Sequence, residues 1–141
     1  MNKTDLPFQI GKQYENWELD LILLPSKIKE NELFTSYLYV GNQTKTLLGF
    51  SPHRIELLFQ WDILNTVIMT FLDRDVDYYN KILNVLEATY GISTEINKYG
   101  KVIQVFKVKN LEIWSKYSSG TVSIIYGISG TLATYSYSLL C

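Results

Sequence analysis

In RIELLFQW (54–61), apolar residues fall at every second position: Ile55, Leu57, Phe59 and Trp61. Leu58 adds an apolar side chain to the other face, beside Arg54, Glu56 and Gln60. The segment NTVIMTFLD that follows sets Val67, Met69 and Phe71 against Ile68, Thr70 and Leu72. A period of two predicts strands, and apolar residues on both faces predict central strands covered on both sides. The β-branched content agrees. Read as a helix, the stretch would group Ile55, Leu58 and Phe59 with Asp62 and Thr66 and spread apolar residues all round. Asp62 begins the connection, so the segment is expected to be a hairpin through the core. It is not expected to span a membrane, because polar residues interrupt it well short of about 18 apolar positions.

WELDLILL (17–24) alternates Trp17, Leu19, Leu21 and Leu23 with Glu18 and Asp20, which predicts a half-buried strand ended by Pro25. SKIKENE reads as a polar connection and FTSYLYV (34–40) as the returning strand; GNQTKTLLGFSP is rich in turn residues. In DYYNKILNVLEATYG (77–91), Tyr79, Ile82, Leu83, Leu86 and Tyr90 recur at helical spacing, while Asn80, Lys81, Asn84 and Glu87 face water. Asp75 or Asp77 is placed to cap this helix, and Gly91 to close it. KVIQVFKV (101–108), LEIWSKY (111–117) and TVSIIYG (121–127) read as three closing strands, turned by Gly100, Asn110 and Ser119-Gly120. The weak alternation of TLATYSYS (131–138) reads as a hydroxyl-rich edge strand. The expected fold is α+β: a mostly antiparallel sheet with one main helix (residues 77–90) packed on it, in a single globular domain spanning 1–141.

Composition adds limits to this picture. With 47% hydrophobic and 19% charged residues among 141, the chain can bury a core and is not of the disordered class. Eleven tyrosines suit a β-rich fold as well as a binding surface. Net charge is −1, so no global field draws the chain to nucleic acid or anionic lipid. Residues 1–76 carry seven Lys/Arg against ten Asp/Glu (−3), and 77–141 carry six against four (+2), too small an asymmetry to name a partner. The start, MNKTDLPFQIGKQYENWELD, has no apolar stretch of leader length behind its lysine, so a cytoplasmic location is expected. Without a leader, the glycosylation patterns at Asn2-Lys3-Thr4 and Asn42-Gln43-Thr44 carry no weight.

Several chemistries are poorly supplied. Zinc needs several Cys or His ligands, and the chain holds only His53 and Cys141, so no metal is expected. His53 follows a proline in a loop, with no Gly-x-Ser-x-Gly turn to accompany a catalytic triad. No glycine-rich phosphate loop is present, and no cofactor is expected. Asp73, Asp75 and Asp77 could together hold a divalent cation, but carboxylates before a helix are stabilising there regardless of function. Glu56 and Asp62 have opposite strand parity, which argues against an acid/base pair. Lys98, Lys101, Lys107, Lys109 and Lys116, near Tyr99, Phe106 and Trp114, could bind nucleic acid, but lysines also guard strands against sticking to other sheets. The latter reading is preferred, so no nucleic-acid partner and no enzymatic activity are expected.

The order RIELLFQW, NTVIMTFLD, DYYNKILNVLEATYG and three closing strands forms a ββαβββ pattern. It resembles small bacterial domains that include immunity proteins, which neutralise secreted toxins. The resemblance rests on topology and on the helix ending Tyr90-Gly91, and it implies tight one-to-one binding of another protein without catalysis. Under that reading Asp73, Arg74, Asp75 and Tyr78 are the expected contact residues, since they are charged or amphipathic and lie at a turn. The alternative is a small-molecule binder with an aromatic pocket between helix and sheet, lined by Tyr79, Tyr90, Trp61 and Trp114. A homodimer is compatible with either.

Overall fold

The computed structural model describes residues 6–141, so the Asn2-Lys3-Thr4 tripeptide lies outside the described residues. Strands β1 (Leu21–Leu24), β2 (Phe34–Tyr39), β3 (Arg54–Gln60) and β4 (Ile63–Phe71) are followed by helix α1 (Val76–Tyr90). Then come β5 (Thr94–Lys98), β6 (Lys101–Val108), β7 (Leu111–Ser118) and β8 (Thr121–Ile128), and two short helices, α2 (Ser129–Thr134) and α3 (Ser136–Leu140). All eight strands form one antiparallel sheet in the order β1-β2-β3-β4-β8-β7-β6-β5. It consists of two four-stranded meanders. Helix α1 carries the chain from the end of β4 to the far edge, and β8 returns to pair with β4 at the centre.

Both faces of the sheet are covered, as the two-sided apolar pattern of β3 and β4 requires. On one face Ile55, Leu57, Phe59, Val67, Met69 and Phe71 meet Ile82 and Leu86 of α1, all buried. The part of this face away from α1 is roofed by the segment before β1, whose Phe8, Tyr14 and Trp17 pack edge-on or tilted against Tyr37, Tyr39 and Phe59. Much of the aromatic content is therefore spent on this roof. On the opposite face Leu58, Ile68, Trp114 and Ile125 form a second core with Ile28, Leu132, Leu139 and Leu140.

A bulge sets the phase of β4. Leu58 pairs with Thr66 and Phe59 with Leu64, so Asn65 is the extra residue. That slip puts Leu64 on the same face as Val67 and Met69, which strict alternation would not allow. Across from it, β8 places Gly127 opposite Thr66. A Cβ built on Gly127 would stand 2.5 Å from the Asn65 carbonyl oxygen, so the bulge and this glycine fit only as a pair.

Three expectations need correction. Residues 17–24 are not one strand: 3-10 turns at Tyr14–Asn16 and Glu18–Asp20 precede a strand of only four residues. The cause is the roof, which pulls Trp17 down onto Phe8 and Phe59 and leaves Leu19 outside. Four strands, not three, close the sheet; β5 (TEINK) is an edge strand with little apolar content, so its alternation carried no signal. The tail at 131–138 is helical, not an edge strand, because Leu132, Leu139 and Leu140 are drawn onto the second core.

Helix α1 matches its expected face: Ile82 and Leu86 are buried, and Asn80, Lys81, Asn84 and Glu87 are exposed. The β3–β4 hairpin turns on Trp61 and Asp62, both left-handed (φ 53° and 61°). That turn favours Asn-Gly, and the left-handed region costs an ordinary residue on the order of 1 kcal/mol. Changing Trp61→Asn together with Asp62→Gly should therefore raise the urea midpoint of unfolding, by a stability gain of about 1 kcal/mol.

Candidate binding surfaces

The residues expected to make the contact come together at the β4–α1 junction. Asp75 caps α1, its Oδ1 accepting the Tyr78 N–H at 2.9 Å. The Arg74 guanidinium lies 4.5 Å from the centre of the Tyr78 ring. The backbone of Arg74 is tied to the β7–β8 hairpin: its N–H donates to the Gly120 carbonyl and its own carbonyl accepts from the Tyr117 hydroxyl, both at 2.9 Å. Tyr78 is partly buried, packing at 5.5 Å from Phe50 and 6.2 Å from Phe71. Asp73, left-handed at φ 53°, is exposed. Asp75, Arg74 and Tyr78 thus hold the corner together, and Asp73 is the member of the set whose side chain can be changed without disturbing packing. Asp75→Ala should cost about 1 kcal/mol through the lost cap, measured by chemical denaturation.

The four aromatic residues of the alternative reading do not meet. Tyr79 stacks on Tyr117 at 5.6 Å, with burial as the main cause of the upward shift of its hydroxyl. Tyr90 packs beside the same core. Trp114 belongs to the opposite face, where its Nε1 donates to Glu112. Trp61 stands 72% exposed at the hairpin tip.

The remaining chemical candidates have structural explanations. The Nδ1 of His53 accepts the Leu72 N–H at 3.0 Å. Glu56 lies 3.5 Å from Arg54, and Asp62 sits in the turn. Among the described residues, no three His, Cys, Asp or Glu side chains gather as metal ligands. The lysines divide: Lys98 and Lys101 face each other across β5–β6, and Lys107 stands opposite Glu112. Lys116 donates to the Leu140 carbonyl at 3.3 Å, and burial, then nearby Lys101 and Lys27, push its pKa down.

An open cleft of about 560 Å³ lies where β2 ends and β3 begins, lined by Lys45, His53, Arg54, Ser51 and apolar neighbours such as Ile55 and Leu72. Its charged groups are all cationic, which suits small anions, though Arg54 is already shared with Glu56.

The free edge of β1 has a different character. Leu19, Ile22 and Leu23 are 96%, 53% and 66% exposed. Among the described residues β1 pairs only with β2. The Val40 N–H donates to the Asp20 carbonyl at 2.8 Å, and the register runs on as Ile22 with Leu38 and Leu24 with Ser36. Antiparallel ladders alternate bonded and unbonded pairs, so Ile22 and Leu24 spend their backbone groups on β2. The N–H and C=O groups of Leu21 and Leu23 therefore face outward. The other edge, β5, carries Glu95 and Lys98, charges of the kind that discourage strand addition; β1 is all apolar.

No helix among the described residues is long and apolar enough to cross a membrane. The chain matches no known family, no curated protein and no solved structure.

Proposed function

We propose that this chain is a non-enzymatic protein-binding domain that docks a partner on the free edge of β1. The observation that carries the reading is the pairing of outward backbone donors and acceptors at Leu21 and Leu23 with the exposed side chains of Leu19, Ile22 and Leu23. Backbone hydrogen bonds of this kind supply affinity in strand addition, and the alternate side chains supply selectivity. Ile22 and Leu23 stand on opposite faces of the strand, so an added strand would meet an exposed apolar side chain on each face.

The toxin-neutralising form of this reading draws on the ββαβββ resemblance. The observed order from β3 onward, ββαββββ, keeps the expected core of that pattern and adds one strand. In this form the β4–α1 corner is a second contact, and Asp73 is the residue to change. Asp73→Asn, which removes the charge and keeps a residue suited to the left-handed backbone, should leave the melting temperature in place and weaken a heterodimer with a toxin; unaltered affinity would remove the corner from the interface.

The general test is affinity co-purification from the native cell of the wild type and of Leu23→Lys, a change at an exposed side chain. The wild type should bring down a stoichiometric protein, and the variant, with its melting temperature unchanged, should bring down none. Equal recovery by both proteins would overturn the assignment to β1. A toxin-like chain in the eluate would make the protein an immunity protein.

A further inference from the structure

The cleft where β2 ends and β3 begins joins unpaired positive charge to exposed apolar surface, and we infer that it is a site for a small carboxylic acid with a short apolar body. The inference goes beyond the protein-binding reading and does not depend on it. The cleft is held in shape from several sides. Its wall is the connection 40–53, anchored by the buried Leu47, whose N–H and C=O exchange hydrogen bonds with Phe50, each at 2.9 Å. Phe50 in turn packs on Tyr78. The Tyr39 hydroxyl donates to the Gln43 carbonyl at 3.2 Å, and the Tyr39 ring lies across Gly41, where any side chain would collide with it. Preformed concavities of about 300–1,000 Å³ are where small ligands bind, and this one encloses about 560 Å³.

Lys45, His53 and Arg54 line the cleft, and no acidic residue does. The Arg54–Glu56 contact, made through Nε at 3.5 Å, is the one ion pair within 4 Å among the described residues, so Lys45 has no carboxylate partner there. Its ammonium rests 5.4 Å from the centre of the Phe8 ring. His53 is fixed twice: its N–H donates to the Thr70 carbonyl at 2.8 Å, and its Nδ1 accepts the Leu72 N–H at 3.0 Å. With Nδ1 occupied as an acceptor, the proton of the neutral ring sits on Nε2, which is thereby a donor.

The balance of charge and apolar surface selects the ligand class. Lys45 and Arg54 less Glu56 leave one positive charge, and Asp20 lies near enough to Tyr39 to add to the effect of burial on its hydroxyl. That balance suits the single charge of a carboxylate and disfavours a phosphate dianion; a cationic ligand would meet Lys45. Val40 and Leu72, both exposed, line the same cleft beside Ile55. A purely ionic ligand would leave them in water, whereas an apolar chain would cover them.

The probes are acetate, butyrate and hexanoate, with hexanol and inorganic phosphate beside them, titrated into the full chain and followed by NMR. Hexanoate should saturate one site with a Kd of about 1 mM or tighter, shifting the Leu72 amide and the ring nitrogens of His53. Each methylene added along the acid series should tighten binding about fourfold. Lys45→Gln should weaken hexanoate about tenfold, and hexanol and phosphate should bind the wild type weaker by at least that factor. Hexanol binding as well as hexanoate overturns the role of charge, a flat acid series overturns the apolar body, and phosphate binding more tightly overturns the ligand class. Shifts that bypass Leu72 and His53, or undiminished affinity in Lys45→Gln, overturn the site itself. The melting temperature of the free variant shows whether it is folded; if Lys45→Gln is not, Arg54→Gln takes its place with the same expected weakening.

Discussion

Gly127→Ala should be among the most damaging single substitutions in this protein, costing about 3 kcal/mol, the upper end for forcing atoms into a packed interior. The added methyl carbon would stand 2.5 Å from the Asn65 carbonyl oxygen, 2.7 Å from Thr66 Oγ1 and 3.0 Å from Thr66 Cα. Two of these three are backbone atoms on the central strand, held by β3 on one side and β8 on the other. Neither strand can retreat without opening a ladder. Urea denaturation should show the loss as a fall in midpoint with little change in slope. Gly130→Ala is the control: a Cβ there meets nothing within 4 Å, and it lies in α2, where alanine is the better helix former. It should be neutral or slightly stabilising. If Gly127→Ala behaves like Gly130→Ala, the close approach of β8 to the bulge is wrong.

Tyr126→Phe should be comparably severe although it removes a single oxygen atom. The Tyr126 side chain is wholly buried, and its hydroxyl both accepts from the Phe8 N–H and donates to the Phe8 carbonyl, each at 3.0 Å. These two bonds pin the roof segment to the central strand across 118 positions of sequence. Phe8 is itself fully buried, so the phenylalanine variant leaves two backbone groups with neither protein nor water. Orphaned groups of this kind cost about 1–3 kcal/mol each, for a combined loss of about 3 kcal/mol when partial relaxation is allowed.

The same residue predicts an alkaline transition. Burial pushes the Tyr126 hydroxyl far above its ordinary range, against the opposing effect of the Phe8 bond. A group whose folded pKa is raised contributes its stability in full below the unfolded value and loses it as pH rises beyond that point. The wild type should therefore lose about 1.4 kcal/mol per pH unit from this tyrosine above about pH 10. Tyr37, Tyr39 and Tyr79 are shifted upward by burial as well and act in the same direction in both proteins. The stability gap between wild type and Tyr126→Phe should consequently narrow above about pH 10. A gap that stays constant there would mean Tyr126 is not buried as described.

The corner at Asp73–Tyr78 shows how far residue type and position lead by themselves. Chain order was enough to place these residues at one turn and to offer Asp75 or Asp77 as the cap; the structure decided for Asp75. What could not be read was that Tyr78 packs on Phe50 and Phe71 and that Arg74 is tied to Gly120 and Tyr117. Apart from Phe71, those partners lie tens of positions away, and no local pattern records them. The β1 edge was less visible still. LILL looks like ordinary core strand, and its alternation says nothing about which strand ends up at a sheet margin.

By itself the sequence determined the elements whose signals are local and strong. Period-two alternation marked β3 and β4 and their two-sided burial, helical spacing marked α1 and its inward face, and glycine and asparagine marked the turns of the second meander. These follow from side chain direction and backbone sterics within a few residues, and they survive any packing that keeps the faces apart. Tertiary structure alone decided the rest. It paired β4 with β8, folded the segment before β1 into a roof, bent the apparent strand at Trp17 and turned the hydroxyl-rich tail helical. In each of these, long-range burial outweighed a weak local preference, because a few large apolar side chains such as Phe8, Trp17, Leu132 and Leu139 gain more by reaching a core than the backbone loses by changing its local form.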